Sequence, residues 1–163
     1  MARKVFFSFH YEKDAWRAGQ VRNSNVVRSE DTTGFIDASE WEKVKERGQD
    51  AIKNWINEQL KGTSITVVLI GSETSERDWV KYELQRSYEK GNAFLGIFIH
   101  NLEDQEKRTT SKGDTRFGEL GKDSEGKSVY LFQLAKFYDW KNDDGYNNFT
   151  KWIEEAISNQ NGN

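Results

Sequence analysis

Ile65-Thr66-Val67-Val68-Leu69-Ile70-Gly71-Ser72-Glu73-Thr74-Ser75-Glu76-Arg77-Asp78-Trp79-Val80-Lys81-Tyr82-Glu83-Leu84 is the stretch that decides the fold. An apolar run with no alternation, rich in β-branched residues, marks a strand buried on both faces, as in a parallel sheet. Val80, Leu84 and Tyr88 then recur at helical spacing, so the stretch reads as strand, turn and helix. At 100° per residue Trp79 and Glu83 fall about 40° apart, one turn from each other on the flank of that apolar stripe. A carboxylate placed there is expected at a pocket rim, where an aromatic and an acid together can hold a sugar and stabilise a cation.

Two further apolar runs match the first: Val5-Phe6-Phe7-Ser8-Phe9 at the start and Phe94-Leu95-Gly96-Ile97-Phe98-Ile99 later on. Gly34-Phe35-Ile36-Asp37 reads as a short second strand and Phe137-Tyr138-Asp139-Trp140 as a fifth. Helical patterns lie between them: residues 13–28, weakly periodic and interrupted by Gly19, and then Ala51, Ile52, Trp55, Ile56 and Leu60. Tyr146, Phe149, Trp152, Ile153, Ala156 and Ile157 form one face of a last helix. The order β-α-β-α-β-α-β-loop-β-α predicts an α/β fold: a flavodoxin-like three-layer sandwich around a central five-stranded parallel sheet. Its ligand crevice is expected at the carboxyl ends of the strands. Residues 101–128 carry only Leu102, Phe117 and Leu120 as large apolar residues and read as a surface loop excursion. Residues 1–158 are expected to form a single domain, with 159–163 a flexible tail.

Composition narrows the function. The chain has 163 residues, a net charge of −3 and no cysteine, which argues against a nucleic-acid-gripping surface and excludes disulfides, thiolate metal sites and a cysteine nucleophile. Six Trp and ten Phe predict an aromatic-rich core despite 31% charged residues. The start, Met1-Ala2-Arg3-Lys4, leads into a strand rather than a signal-peptide core, and no run approaches a membrane span, so a cytoplasmic location without membrane contact is the expectation.

On the predicted topology, polar residues collect at the strand ends: Ser8 and His10 after strand one, Asp37 after strand two, Gly71 and Ser72 after strand three, His100 and Asp139 beyond. Polar residues resume at strand ends in any α/β protein, so each taken singly carries little weight. His10 reads equally as a solvated imidazole, and two histidines without cysteine offer no zinc spacing, so no metal site is expected. Glu83 reads either as a functional carboxylate or as an exposed ion-pair partner of Arg86. Trp79 reads as core packing or as a ligand platform. Ser72 to Ser75 offer helix caps, and their amides an anion contact.

The same segments resemble the TIR (Toll/interleukin-1 receptor) superfamily, and specifically the TIR-like ThsB group of bacterial Thoeris antiphage systems. The matching pieces are Val5-Phe6-Phe7-Ser8-Phe9-His10-Tyr11, Gly34-Phe35-Ile36-Asp37-Ala38-Ser39-Glu40-Trp41, Thr63 to Ser72, Trp79-Val80-Lys81-Tyr82-Glu83, Glu89-Lys90-Gly91-Asn92, Tyr138-Asp139-Trp140 and Asp143-Asp144-Gly145-Tyr146. Two departures stand out. Val80 replaces the cysteine of the general Trp-Cys-x-x-Glu pattern, and 101–128 is shorter than expected of the group.

The resemblance implies an enzyme that cleaves NAD, a substrate rather than a cofactor, with Glu83 as the catalytic residue. With that chemistry, Phe6, Ser8, His10 and Tyr11 at the first strand end, Asp37 and Ser72 at the next strand ends and Trp79 as a wall are the expected substrate-pocket residues. The resemblance further implies an ADP-ribose-derived second messenger, cyclic or conjugated, that activates a separate Thoeris effector, with a phage-derived trigger and homo-oligomerisation as further expectations. Two alternatives stay open at this point. One is a non-enzymatic TIR adaptor acting by self-association; the other is a nucleoside deoxyribosyltransferase-like hydrolase.

Overall fold

The three apolar runs pair with one another at the centre of the molecule. The computed structural model describes residues 4–24, 27–36 and 38–161. In chain order its elements are β1 (Val5–Ser8), α1 (Ala15–Asn23), β2 (Thr32–Thr33), α2 (Ala38–Glu46), α3 (Gln49–Leu60), β3 (Ile65–Ile70) and α4 (Asp78–Lys90). There follow β4 (Ala93–Phe98), β5 (Glu119–Lys122), β6 (Ser128–Tyr130), α5 (Leu131–Leu134), β7 (Lys136–Asp139) and α6 (Gly145–Asn161).

Five strands form one parallel sheet in the order β2-β1-β3-β4-β7, the flavodoxin-like arrangement expected from the alternating pattern. The strand order reverses between β1 and β3, so the crevice at their carboxyl ends is the topological switch point. Every residue of β1, β3 and β4 is buried, which explains why these runs show no alternation. Side chains on successive strand residues leave opposite faces. Val67, Leu69, Leu95 and Ile97 meet Phe149, Trp152 and Ile153 of α6 in one cluster, while Val68, Ile70, Phe94 and Phe98 meet Val80 and Leu84 of α4 in another. Ser8 shares the α4 side, being aligned with Val68 in the sheet.

Helix α4 is fixed at both ends. Gly91 lies just past its last residue with φ 92°, a left-handed conformation that only glycine adopts cheaply, and its N–H reaches the carbonyls of Ser87 and Tyr88 at 3.1 and 3.0 Å. At the other end the helix starts at Asp78, not at the Ser72 to Ser75 caps read from sequence. Thr74 to Glu76 instead make a 3-10 turn, and the Thr74 hydroxyl accepts from the Gly71 N–H at 2.8 Å.

Three other expectations are corrected. The second strand is Thr32–Thr33, immediately before Gly34-Phe35-Ile36-Asp37, because Gly34, with φ 93° and its N–H donated to the Gln59 side chain at 2.9 Å, leaves the extended conformation, and Phe35 and Ile36 pack on the core beyond it. Helix α1 occupies only Ala15–Asn23 of the 13–28 pattern. Helix α2 is an element the periodicity reading passed over. Within the 101–128 stretch, β5 begins an antiparallel hairpin with β6, and Phe117 and Leu120 are buried against the α4 cluster. Among the described residues no helix is long and apolar enough to cross a membrane.

Candidate active site

Two hydroxyls converge on one buried carboxylate at the switch point. Ser8, the last residue of β1, donates to Glu83 Oε1 at 2.8 Å. Tyr11, three residues further, donates a short hydrogen bond to Glu83 Oε2. Both carboxylate oxygens are thereby engaged, and Glu83 is 0% exposed. The rim position expected from helix geometry is therefore corrected: in this conformation Glu83 lies beneath a roof. Helical spacing sets only the direction of the side chain, whereas the cover comes from segments remote in the chain.

That roof is aromatic. The Tyr11 ring lies 4.8 Å from Trp41 of α2, 5.6 Å from Trp55 of α3 and 4.6 Å from Phe9, centroid to centroid. Trp41 and Trp55 are themselves 5.9 Å apart in an edge contact. Aromatic rings packed in tilted and edge geometries exclude water efficiently. The consequence is electrostatic. Burial pushes the Glu83 carboxyl up to about 8, against the opposing pull of the hydrogen bonds from Tyr11 and Ser8. Tyr11 is raised well above its ordinary value by burial first, and then by the charge of Glu83 and the bond to it.

Below the carboxylate, α4 is tied to the sheet by a buried polar chain. Ser87 donates to the Glu83 carbonyl at 2.7 Å, Thr66 donates to Ser87 at 2.7 Å, and the Asn92 amide donates to Thr66 at 3.1 Å. Buried polar groups satisfied in this way fix one helix register, so the position of Glu83 over Ser8 is defined from beneath as well as above.

The rest of the predicted pocket divides. Phe6 lies two residues before Ser8 on the same sheet face and is fully buried in the core. His10 is nearly buried, accepts from the Lys13 N–H at 3.1 Å through Nδ1, and is held below its ordinary pKa by burial and then by Arg77. Ser72 accepts from the Lys13 ammonium at 2.8 Å at the adjoining loop. Trp79 is half-buried, packs on the core cluster and makes an edge contact with Tyr82 at 5.7 Å. Asp37 lies outside the described residues. The structure thus brings Ser8, Tyr11 and Glu83 into one hydrogen-bonded group, whereas His10 and Ser72 are joined to Lys13 of the same loop as Tyr11.

Several residues around the site escaped sequence reasoning. Trp41 and Val44 follow each other at helical spacing, a faint amphipathic signal within a charged segment. Asp14 is fully buried, paired with Arg17 at 2.9 Å, and packed so closely against Gly71 that a Cβ on Gly71 would overlap its carboxylate. Arg17 also donates to the Leu102 and Arg108 carbonyls at 2.8 Å each, anchoring the start of the 101–128 stretch to α1. Among the described residues no three His, Asp or Glu side chains converge as a metal site.

Comparison with known proteins agrees with this architecture. The family model described as Thoeris protein ThsB, TIR-like domain, matches residues 6–104, which contain Ser8, Tyr11 and Glu83. A Bacillus cereus (strain MSX-D12) protein, ThsB1, named for cyclic ADP-D-ribose synthesis, is 36% identical over 94% of this chain and 100% of its own length.

Proposed function

The chain belongs to the TIR-like ThsB family of Thoeris systems, and from that premise we propose that it cleaves the nicotinamide–ribose bond of NAD and converts the ADP-ribosyl part into a cyclic or conjugated second messenger for a separate effector. The observation that carries this reading is the buried Glu83 carboxyl with the Ser8 and Tyr11 hydroxyls on its two oxygens. Departure of neutral nicotinamide leaves an oxocarbenium-like ribose. A carboxylate in a water-poor site stabilises that cation far better than it stabilises the uncharged ground state of the ribose, which is the condition for lowering the barrier. The two hydroxyl contacts have the chemistry of ribose hydroxyls, and on this reading the substrate's own hydroxyls replace them on Glu83. A nucleophile then sets the product: water gives ADP-ribose, the adenine or a ribose hydroxyl gives a cyclic isomer, and an external amine or imidazole gives a conjugate.

On this reading His10 and Ser72 contact the remainder of the dinucleotide and Trp79 forms a wall of the pocket. NAD enters as substrate, and the scheme calls for no cofactor or metal. A phage-derived trigger and self-assembly are parts of the proposal that act upstream of the chemistry.

The test is mass spectrometry of nucleotides from phage-infected cells carrying wild type or Glu83→Gln, a near-isosteric change. Wild type is expected to accumulate an ADP-ribose-derived product and lose NAD, and the variant to do neither while remaining folded. An unchanged product from the variant would remove Glu83 from the chemistry. NAD left intact by wild type under every trigger would instead support an adaptor acting by self-association.

A further inference from the structure

The 101–128 stretch is tied to the carboxyl end of the sheet more firmly than a surface excursion requires, and the tie is Arg17. Its guanidinium is 3% exposed and uses each nitrogen on a different partner. Nε donates to the Leu102 carbonyl at 2.8 Å, one terminal nitrogen to the Arg108 carbonyl at 2.8 Å and the other to Asp14 at 2.9 Å. One turn along α1, Gln20 Nε2 donates to the Glu103 carbonyl at 2.5 Å. Between these anchors 104–108 closes on itself: the Asp104 N–H donates to the Arg108 carbonyl at 2.9 Å, and the Glu106 and Arg108 N–H groups donate to Asp104 Oδ1 at 2.9 and 3.0 Å. The chain then crosses the strand ends. The Thr110 N–H donates to the His100 carbonyl at 3.0 Å, the Lys112 ammonium stands 4.6 Å from the Phe98 ring centroid, and Gly113 passes so near the Gly71 carbonyl that a Cβ would lie 2.0 Å from it. Gly71 precedes Ser72, so 110–113 forms a fixed border of the crevice beside the end of β3.

The composition of this anchor points to geometry rather than stability. Asp14 is 0% exposed, and among the described residues nothing donates to its Oδ2. A buried ion pair with one oxygen left alone contributes little to folding, since desolvation of two charges offsets their attraction, and an apolar anchor of similar volume would hold a loop as well. What the planar guanidinium adds is direction: three bonds at fixed angles leave the 102–108 turn one position relative to α1. We propose that Arg17 is a positioning residue that sets the product: by fixing 108–113 across the ends of β3 and β4 it keeps water from the ribosyl cation, which then reacts with a nucleophile already seated in the crevice. This rests on the reading of Glu83 as the carboxylate that stabilises that cation. In every outcome the bond between ribose C1′ and the nicotinamide nitrogen breaks and its electron pair leaves on neutral nicotinamide. The nucleophile gives a lone pair to C1′ and sheds one proton to solvent. Only its identity differs: water yields ADP-ribose, and the adenine, a ribose hydroxyl or a bound amine yields the messenger. Water exclusion protects a reactive intermediate without breaking the bond, so a gap in the border alters the product ratio more than the rate of cleavage.

The experiment compares wild type with Arg17→Lys in extracts of triggered cells supplied with NAD, measuring nicotinamide, ADP-ribose and messenger by mass spectrometry, alongside amide hydrogen exchange on the full chain. Lysine keeps a charge beside Asp14 but cannot reach a carboxylate and two carbonyls at once. The ratio of ADP-ribose to messenger is expected to rise about tenfold, with total nicotinamide release changed about threefold at most. Exchange across 102–110 is expected to rise about tenfold while β3 amides keep their protection. A merely structural anchor would lower both products in proportion, so an unchanged ratio with 102–110 loosened overturns the proposal. If Arg17→Lys loosens β3 as well, Gln20→Ala decides: it removes the bond to the Glu103 carbonyl, leaves the buried ion pair intact and should raise the ratio about threefold. An unmoved ratio in that variant overturns the proposal equally. Absence of nicotinamide release from wild type overturns the NAD reading on which this rests, a failure told apart because neither product then forms.

Discussion

The two ends of the sheet differ in opposite respects. At the carboxyl end Glu83, Ser8 and Tyr11 are buried under aromatic rings with a perturbed carboxyl at the centre. At the amino ends of β4 and β7 an open cavity of about 480 Å³ is lined by Tyr88, Asn92, Gln133, Leu134, Tyr138 and Gln160 among others. None of its lining residues is Ser8, Tyr11 or Glu83, and its acidic member, Glu155, is half-buried. The cavity has a size that suits a small ligand, whereas the groups to which the proposed chemistry is assigned are buried at the other end of the sheet. Space alone is therefore a poor guide to this molecule. A buried acid held by hydroxyls costs folding energy, and its presence at the switch point is what supports the proposed chemistry there rather than at the opening.

The contrast can be broken first by stability. Leu84, fully buried beside Glu83, should lose about 3 kcal/mol on replacement by Ala, whereas Leu134→Ala at the rim of the open cavity, where the side chain is 44% exposed, should stay within about 0.5 kcal/mol. Denaturant unfolding of both variants checks this, and equal losses would erase the difference between the two ends. Ser8→Ala sharpens the comparison at a smaller scale. Losing one hydrogen bond onto Glu83 should cost about 1 kcal/mol of stability and push Glu83 further toward its protonated form, while NAD cleavage, in which the substrate's hydroxyls take the place of Ser8, should stay within about threefold. Unfolding curves and product rates on that variant would show it.

A further effect is one of pH. The folded-state pKa of Glu83 is raised to about 8 from the ordinary 4.5, so the closed fold holds an extra proton. That stabilisation is complete below the unfolded value and is lost as pH rises through about 8. Tyr11 titrates well above this window and the two histidines, both lowered by burial, are neutral throughout it. Thermal midpoints of wild type should therefore fall between pH 7 and 9, and those of Glu83→Gln should stay flat. A parallel decline in both proteins would assign the effect elsewhere.

Much of the architecture is legible in the chain. The runs at 5–9, 65–70 and 94–99 announce buried parallel strands because both faces are covered, and their alternation with helical stripes implies the strand order observed. What escapes has a physical cause in each case. Strand β2 pairs through only two threonines, which carry no apolar signature, while neighbouring Phe35 and Ile36 look more strand-like and pack instead on the core. Helix α2 is short and highly charged, so its single seam of Trp41 and Val44 falls below the noise of periodicity. The position of Glu83 on its helix can be read from spacing. Its burial cannot, since the cover comes from Tyr11, 72 residues away in the chain, and from the tryptophans above it.

The most direct measurement is the rate of nicotinamide release from NAD in extracts of triggered cells, compared between Glu83→Gln at the closed end and Gln133→Ala at the open one. Glu83→Gln is expected to fall about a thousandfold and Gln133→Ala to remain within about twofold of wild type. Nicotinamide release that survives in Glu83→Gln but disappears in Gln133→Ala would place the chemistry in the cavity at the other end of the sheet and contradict the assignment of Glu83.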